Sequence, residues 1–152
     1  MIREAEAADV RGVYELICGM EQTRLDPGAF QEIYRAQRAS ALYLCLVWEE
    51  RGRILGCLNL RMEPQLHHTA LVAEVLELAV EEGRRSQGIG KALLDEACRR
   101  AREQGCVQIE VCCNRLRTEA HRFYQREGLR DFHLKRSKSL TAEEHRENRL
   151  GL

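Results

Sequence analysis

The sequence predicts a mixed α/β fold: a central mixed sheet, mostly antiparallel, flanked by about four helices. Three observations predict it. Residues 42–48, 54–62 and 72–80 are apolar runs of strand length that follow one another closely, as a hairpin and a third antiparallel strand would. Residues 72–80 and 107–113 are separated by a long segment of helical periodicity, as a parallel strand–helix–strand crossover requires. The chain opens with a short strand-like segment and two amphipathic helical ones.

Each element follows from local signals. Ile2–Glu4 reads as a short first strand. Asp9 is placed to cap a helix with Val10, Val13, Leu16 and Ile17 on one face. A second helix follows Asp26-Pro27, with Phe30, Ile33 and Tyr34 inward. Glu50-Arg51-Gly52-Arg53 is a turn joining strands 42–48 and 54–62. Residues 63–69 read as a loop, and 72–80 as the next strand. The longest helix is expected at 88–104 and ends at Gly105. Residues 107–113 form a strand with Val107, Ile109 and Val111 on one side. Thr118–Arg126 is a helix stopped by Gly128, and 132–140 reads as a last strand. One domain therefore covers 1–140. The remaining 141–152 form a polar tail, in which Thr141-Ala142-Glu143-Glu144 looks like a capping box.

Composition narrows the function classes. At 152 residues the chain can bury a core without staples, and 44% hydrophobic content argues against disorder. Lys plus Arg and Asp plus Glu both number 24, so no global field draws nucleic acid or a membrane surface. Any anion site must be local. No apolar run approaches the ~20 residues of a membrane span, and the acidic N-terminus, with Glu4 and Glu6, resembles no export signal. The seven cysteines lack a C-x-x-C pair or zinc spacing. Cys45, Cys57 and Cys98 lie inside apolar runs, as reduced thiols of a cytoplasmic protein would.

The most informative stretch is Arg85-Ser86-Gln87-Gly88-Ile89-Gly90-Lys91, between the strand ending Leu78-Ala79-Val80 and the longest helix. A Gly-rich turn opening a helix offers unpaired backbone N–H groups at the positive end of the helix dipole. Such a site suits phosphate or pyrophosphate. Gly88 and Gly90 allow close approach, and Arg85 and Lys91 add positive charge. The P-loop pattern fails because Ile89 stands where Lys is needed, and the Rossmann pattern fails at Leu93.

What remains, R-x-x-G-x-G from Arg85 to Gly90, resembles the cofactor loop of the GNAT superfamily of acetyl-CoA-dependent N-acetyltransferases. The predicted element order resembles that family across nearly the whole chain. The resemblance implies a sheet splayed at the cofactor site, with the strand Leu78-Ala79-Val80 pairing with the pantetheine arm through the backbone of Leu78 and Val80. It implies that backbone N–H groups of Gln87, Gly88, Ile89, Gly90 and Lys91 hold the pyrophosphate. A second block, Asn114 followed by Ala120-His121-Arg122-Phe123-Tyr124, is similar to the family's strand-end Asn and following helix. By resemblance Asn114 bonds the pantetheine, Ala120 and Phe123 pack the cofactor, and Tyr124 serves the departing thiolate. A phenol with a pKa of about 10 is chemically suited to that work.

The acceptor amine must lose a proton before it attacks, and the strand Ala73-Glu74-Val75-Leu76-Glu77-Leu78 carries two carboxylates for that step. Strict alternation puts Glu74, Leu76 and Leu78 on one face and Glu77 on the other, unless a bulge returns Glu77. Glu74 matches the position of a glutamate base in the histone-acetylating branch, so it is the expected catalytic base and Glu77 the second choice. Within the superfamily, Leu66-His67-His68, the Glu74 strand and Ala120-His121-Arg122-Phe123-Tyr124 are similar to the aminoalkylphosphonate N-acetyltransferases. That implies a small amine bearing a phosphonate as acceptor; His67, His68, Arg117 and His133 are the candidates for its anionic group, with Glu77 also expected at the substrate. It also implies a divalent metal, although no ligand spacing supports one and the metal ligands are unknown. The alternatives are the same chemistry on an aminoglycoside, a polyamine or a protein amine, or a non-catalytic acetyl-CoA-binding regulator. Oligomeric state is open, a homodimer included.

Overall fold

The structure is a computed structural model that describes residues 1–141. The tail helix expected beyond Thr141 therefore lies outside the described residues. The described elements are β1 (Ile2–Glu4), α1 (Val10–Glu21), α2 (Pro27–Arg38), β2 (Tyr43–Glu50), β3 (Arg53–Gln65), β4 (Ala70–Val80), α3 (Ile89–Glu103), β5 (Ile109–Val111) and α4 (Thr118–Arg126). Met1–Val111 form one compact unit, and the described residues from Cys112 form another.

The five strands make one sheet in the order β1-β2-β3-β4-β5. Every pairing is antiparallel except β4 with β5, which is parallel. The expected mixed, mostly antiparallel sheet is thus present. The β2–β3 turn puts Arg51 and Gly52 at φ +51° and +76°, the left-handed pair that a two-residue hairpin requires.

The two faces of the sheet bury different helices. On one face Val13, Ile17 and Tyr34 of α1 and α2 pack with Val47, Cys57 and Ala79. On the other lie Leu46, Leu58, Leu60 and Val75, all almost fully buried. Gly56 shares that second face, where a Cβ would stand 2.8 Å from Ile89 and 3.1 Å from Leu93. The lack of a side chain at Gly56 is what lets the first turn of α3 lie against β3.

Several boundaries differ from expectation for physical reasons. β3 runs on through Pro64 to Gln65, so the expected loop at 63–69 shrinks to a turn at 66–69 closed by Thr69 N–H to Leu66 O at 3.1 Å. Pro64 lacks an N–H, yet it still pairs in register with Leu71. Asp9 does not cap α1. Its carboxylate turns back to accept from Glu6 N–H at 2.7 Å and from Arg3 at 2.7 and 3.0 Å. Asp26 does cap α2, accepting from Ala29 N–H at 3.0 Å. Ile33 borders a cavity under α2 but is 59% exposed rather than buried. The expected last strand at 132–140 is absent. Phe132, Leu134 and Leu140 are exposed, so the alternation there has no buried face to justify a strand.

Candidate active site

Pairing of β4 with β5 covers only Ala73, Glu74 and Val75. From Glu77 to Val80 the strand pairs with β3 and, among the described residues, with no strand on its β5 side. Glu81 N–H donates to Leu55 O on β3 at 2.9 Å. Successive residues address opposite edges of a strand, so Val80 and Leu78 present their backbone groups to the β5-side edge. The Arg85 Nε bond to Val80 O, 3.5 Å, agrees with that direction.

The loop after β4 makes a 3-10 turn at Glu82–Arg84 and then takes left-handed conformations at Ser86 (φ +62°) and Gly88 (φ +84°). Gly88 is the N-cap of α3, and no side chain caps the helix. The first intrahelical bond from this end is Ala92 N–H to Gly88 O, 3.0 Å. The N–H groups of Ile89, Gly90 and Lys91 therefore point out of the helix end unanswered by it. Arg84 braces the loop, donating to Gln87 Oε1 and Glu50 Oε2 at 2.8 Å each. Lys91 bonds Asp95 at 3.0 Å. A helix N-terminus of this form has the donor geometry that suits an anion.

The two glutamates of β4 lie on one face. Asn59 pairs with Glu77 while Leu60 pairs with Val75, which leaves Leu76 as an extra residue in β4. The bulge resets the alternation, so Glu77 shares a face with Glu74, opposite Asn59 and Arg61 respectively. Glu74 Oε2 accepts from Arg61 at 2.6 Å. Glu77 Oε2 accepts from Asn59 Nδ2 at 2.9 Å, and the same nitrogen donates to Gln37 Oε1 at 2.9 Å. Burial pushes the Glu77 carboxyl above the usual carboxylate range, against the smaller opposing pull of the Asn59 bond.

Glu77, Asn59 and Gln37 are the polar end of a cavity of about 180 Å³ under α1 and α2. Val13, Ile17, Leu25, Phe30, Tyr34 and Cys45 make most of its wall, and Arg38 is its one cationic residue. A wider hollow of about 560 Å³ runs between α1, the β2–β3 turn and the loop, with Val80 and Arg85 in its wall. His67 and His68 sit on the β3–β4 turn with ring centroids 4.3 Å apart. Ala70 to Glu77 is about 20 Å of strand at ~3.3 Å per residue, and neither histidine lines the cavity.

In the unit that begins at Cys112, Asn114 organises the start of α4. Its Oδ1 accepts from Leu116 N–H at 2.9 Å, and its carbonyl bonds Arg117 N–H at 3.0 Å and His121 Nε2 at 2.8 Å. Arg117 is exposed just before α4. Ala120, Phe123 and Tyr124 are half-buried on α4, and the Phe123 and Tyr124 rings meet edge-on at 5.2 Å. Burial raises the Tyr124 phenol to about 12.

Residues 10–129 match the family model described as Acetyltransferase (GNAT) family. The chain belongs to that family. It is 34% identical over 139 residues to the aminoalkylphosphonate N-acetyltransferase of Salmonella typhimurium, covering 91% of this chain and 90% of that protein. Among solved structures, a transcriptional regulator from Bacillus halodurans superposes with a TM-score of 0.86 at 24% identity, covering 92% of this chain and 99% of that one. Glucosamine-6-phosphate N-acetyltransferase from Arabidopsis thaliana gives 0.78 at 21% identity, covering 93% and 98%. These two likenesses establish the shared fold. Family and relative together make this chain an acetyl-CoA-dependent N-acetyltransferase acting on an amine.

The residues of the loop and of β4 fit acetyl-CoA. Ser86 and Gly88 in left-handed conformations, the uncapped α3 N-terminus and the β5-side edge of β4 supply donors for a pyrophosphate and an amide chain. Among the described residues, no three His, Cys, Asp or Glu side chains are grouped to hold a metal ion. No helix among them is long and apolar enough to cross a membrane. Sequence reasoning missed Gln37, Arg38, Asn59 and Gly56. Two of these carried a signal: Asn59 is the polar residue of an apolar strand, and Gly56 is a strand glycine.

Proposed function

We propose that the enzyme acetylates the primary amine of a small acceptor that carries an anionic group, with Glu77 as the base. The observation that carries this reading is Glu77 itself, a half-buried carboxylate at the polar end of a mostly apolar cavity. A carboxyl held above its usual range is a better proton acceptor for an ammonium than an ordinary one. Glu74, the base expected by resemblance, is already engaged by Arg61, which supports Glu77 over it.

Acetyl-CoA supplies the acetyl group as a thioester. The backbone N–H groups of residues 87–91 would hold its pyrophosphate, with Arg85 adjacent, and Leu78 and Val80 would bond its amide arm. Asn114 would offer its Nδ2, since Oδ1 already serves Leu116. Tyr124, with its phenol near 12, keeps its proton at neutral pH. In this reading it acts as a hydrogen-bond donor to the developing thiolate rather than as a full proton donor, because a thiol's pKa is only about 8.5. No step here is assigned to a metal.

Arg38 is the cation available in the cavity wall for the acceptor's anionic group, in place of the expected His67 and His68. The name of the Salmonella relative supports an aminoalkylphosphonate as that acceptor. A cavity of about 180 Å³ favours such a molecule over an aminoglycoside. The test is an acetylation screen over aminophosphonates, amino acids, polyamines and aminoglycosides, with and without divalent metal. The expected result is turnover of small anionic amines. Turnover confined to polyamines or aminoglycosides would overturn the reading.

A further inference from the structure

Asn59 is one of the two polar residues in the buried core of the described chain, and its side-chain nitrogen spends both hydrogens on two acceptors. One acceptor is Glu77 on β4, and the other is Gln37 on α2. We propose that Asn59, anchored by Gln37, is the positioning residue that holds Glu77 ready to take the amine proton. This inference rests on the reading of Glu77 as the base.

Asn59 stands directly opposite Glu77 in the β3–β4 register, at the one place where β4 bulges. The bulge brings Glu77 to the cavity face, and the 2.9 Å bond from Asn59 fixes where its Oε2 lies. Gln37 Oε1 holds the amide with its nitrogen toward the carboxylate, since an oxygen turned that way would face two acceptors. An N–H donor bonds the ionised carboxylate better than the protonated one. Asn59 thereby counters the burial that favours the proton, and keeps Glu77 able to give up and regain it. Gln37 ties this arrangement to α2, the helix that also supplies Tyr34 and Arg38 to the cavity wall.

Other groups bear on Glu77 as well. Glu21 of α1 acts on it unfavourably through its charge. Tyr34 and Arg38 of α2, and Tyr43 and Cys45 of β2, line the same cavity. Cys57 lies on β3, where Arg61 holds Glu74 on Glu77's own strand. Among these, Asn59 is the group that donates a hydrogen bond to Glu77.

The experiment measures kcat/KM against pH for wild type, Asn59→Ala, Gln37→Ala and Glu77→Gln, with 2-aminoethylphosphonate as the acceptor. The wild type should show a rising limb. Asn59→Ala should move that limb up by about one pH unit and recover most of its rate at high pH. Gln37→Ala should move it the same way by less. A limb that stays in place in both variants overturns the inference. If Asn59→Ala does not fold, Gln37→Ala decides alone, because Gln37 is a half-buried helix residue whose loss leaves the sheet intact. Glu77→Gln separates the two claims. If it keeps the wild-type limb, the base assignment itself fails. If it loses the limb while Asn59→Ala does not shift it, only the positioning role fails.

Discussion

Glu77 carries an energetic penalty that its chemistry explains. Its folded pKa lies above the ~4.3 of an unfolded glutamate. The contribution to stability is fully present below about 4.3 and is lost as pH rises through the folded value. Glu77→Gln should therefore melt higher than wild type at neutral pH, by a few degrees, and the difference should shrink in acid. Scanning calorimetry at pH 4 and pH 7.5 checks this. Tyr124→Phe should keep acetyl-CoA binding while kcat falls by roughly 10²–10³-fold, as for loss of one donor to a developing anion; an unchanged kcat would leave Tyr124 as packing. Arg38→Ala should raise KM for an aminophosphonate about tenfold and leave a neutral amine almost unaffected, since only the former loses a charge-assisted contact. The sequence made the candidate glutamates plain but not their facing. Strict alternation separates Glu74 from Glu77, and the one-residue bulge at Leu76 that reunites them has no glycine or proline to announce it. Asn59 was legible as a polar residue in an apolar strand, but its partner Gln37 lies 22 residues away on a helix, which no local pattern reveals.

At the scale of elements, the phosphate loop was the most readable part of the chain. Its glycines, its flanking strand and its long helix all point the same way, and the left-handed φ of Gly88 gives the motif its physical reason. Gly88→Asp adds a left-handed penalty of about 1–2 kcal/mol and sets a negative charge at the helix N-terminus. Titration calorimetry should show acetyl-CoA affinity reduced by at least tenfold; wild-type affinity would remove the loop from the cofactor site. Gly56→Ala acts on the same loop from behind. Its Cβ would press on Ile89 and Leu93, so α3 must shift and cofactor affinity should fall without any change in loop sequence. Element boundaries were less legible. β3 crosses Pro64, a residue that reads as a break, because its register with β4 is held on both sides of that position. The run 132–140 has the alternation of a strand, but alternation yields a strand only where a neighbouring edge and a buried face receive it.

For the molecule as a whole, the order of strands and helices follows from periodicity, and the mixed sheet was legible before any coordinates. Long-range polar ties were not. Arg3 on β1 bonds Asp9 before α1 and Glu49 on β2, so one guanidinium ties the N-terminal segment to a strand 46 residues away. Arg3 holds the Asp9 carboxyl below its ordinary value. Its stabilisation is present above the unfolded value of about 3.9 and is lost as pH falls through the lower folded value. Asp9→Asn should lose about 1–3 kcal/mol at neutral pH, and denaturant melts should show that deficit closing as pH falls below the unfolded value of about 3.9. The account as a whole turns on one carboxylate, because the cavity, the bulge and the Asn59 bond all converge on Glu77. The most direct test is the pH dependence of kcat/KM for Glu77→Gln and Glu74→Gln, measured side by side with wild type. Glu77→Gln should abolish the rising limb and lower the plateau by at least a hundredfold, while Glu74→Gln should keep the limb. Loss of the limb in Glu74→Gln with Glu77→Gln unaffected would contradict the assignment of Glu77.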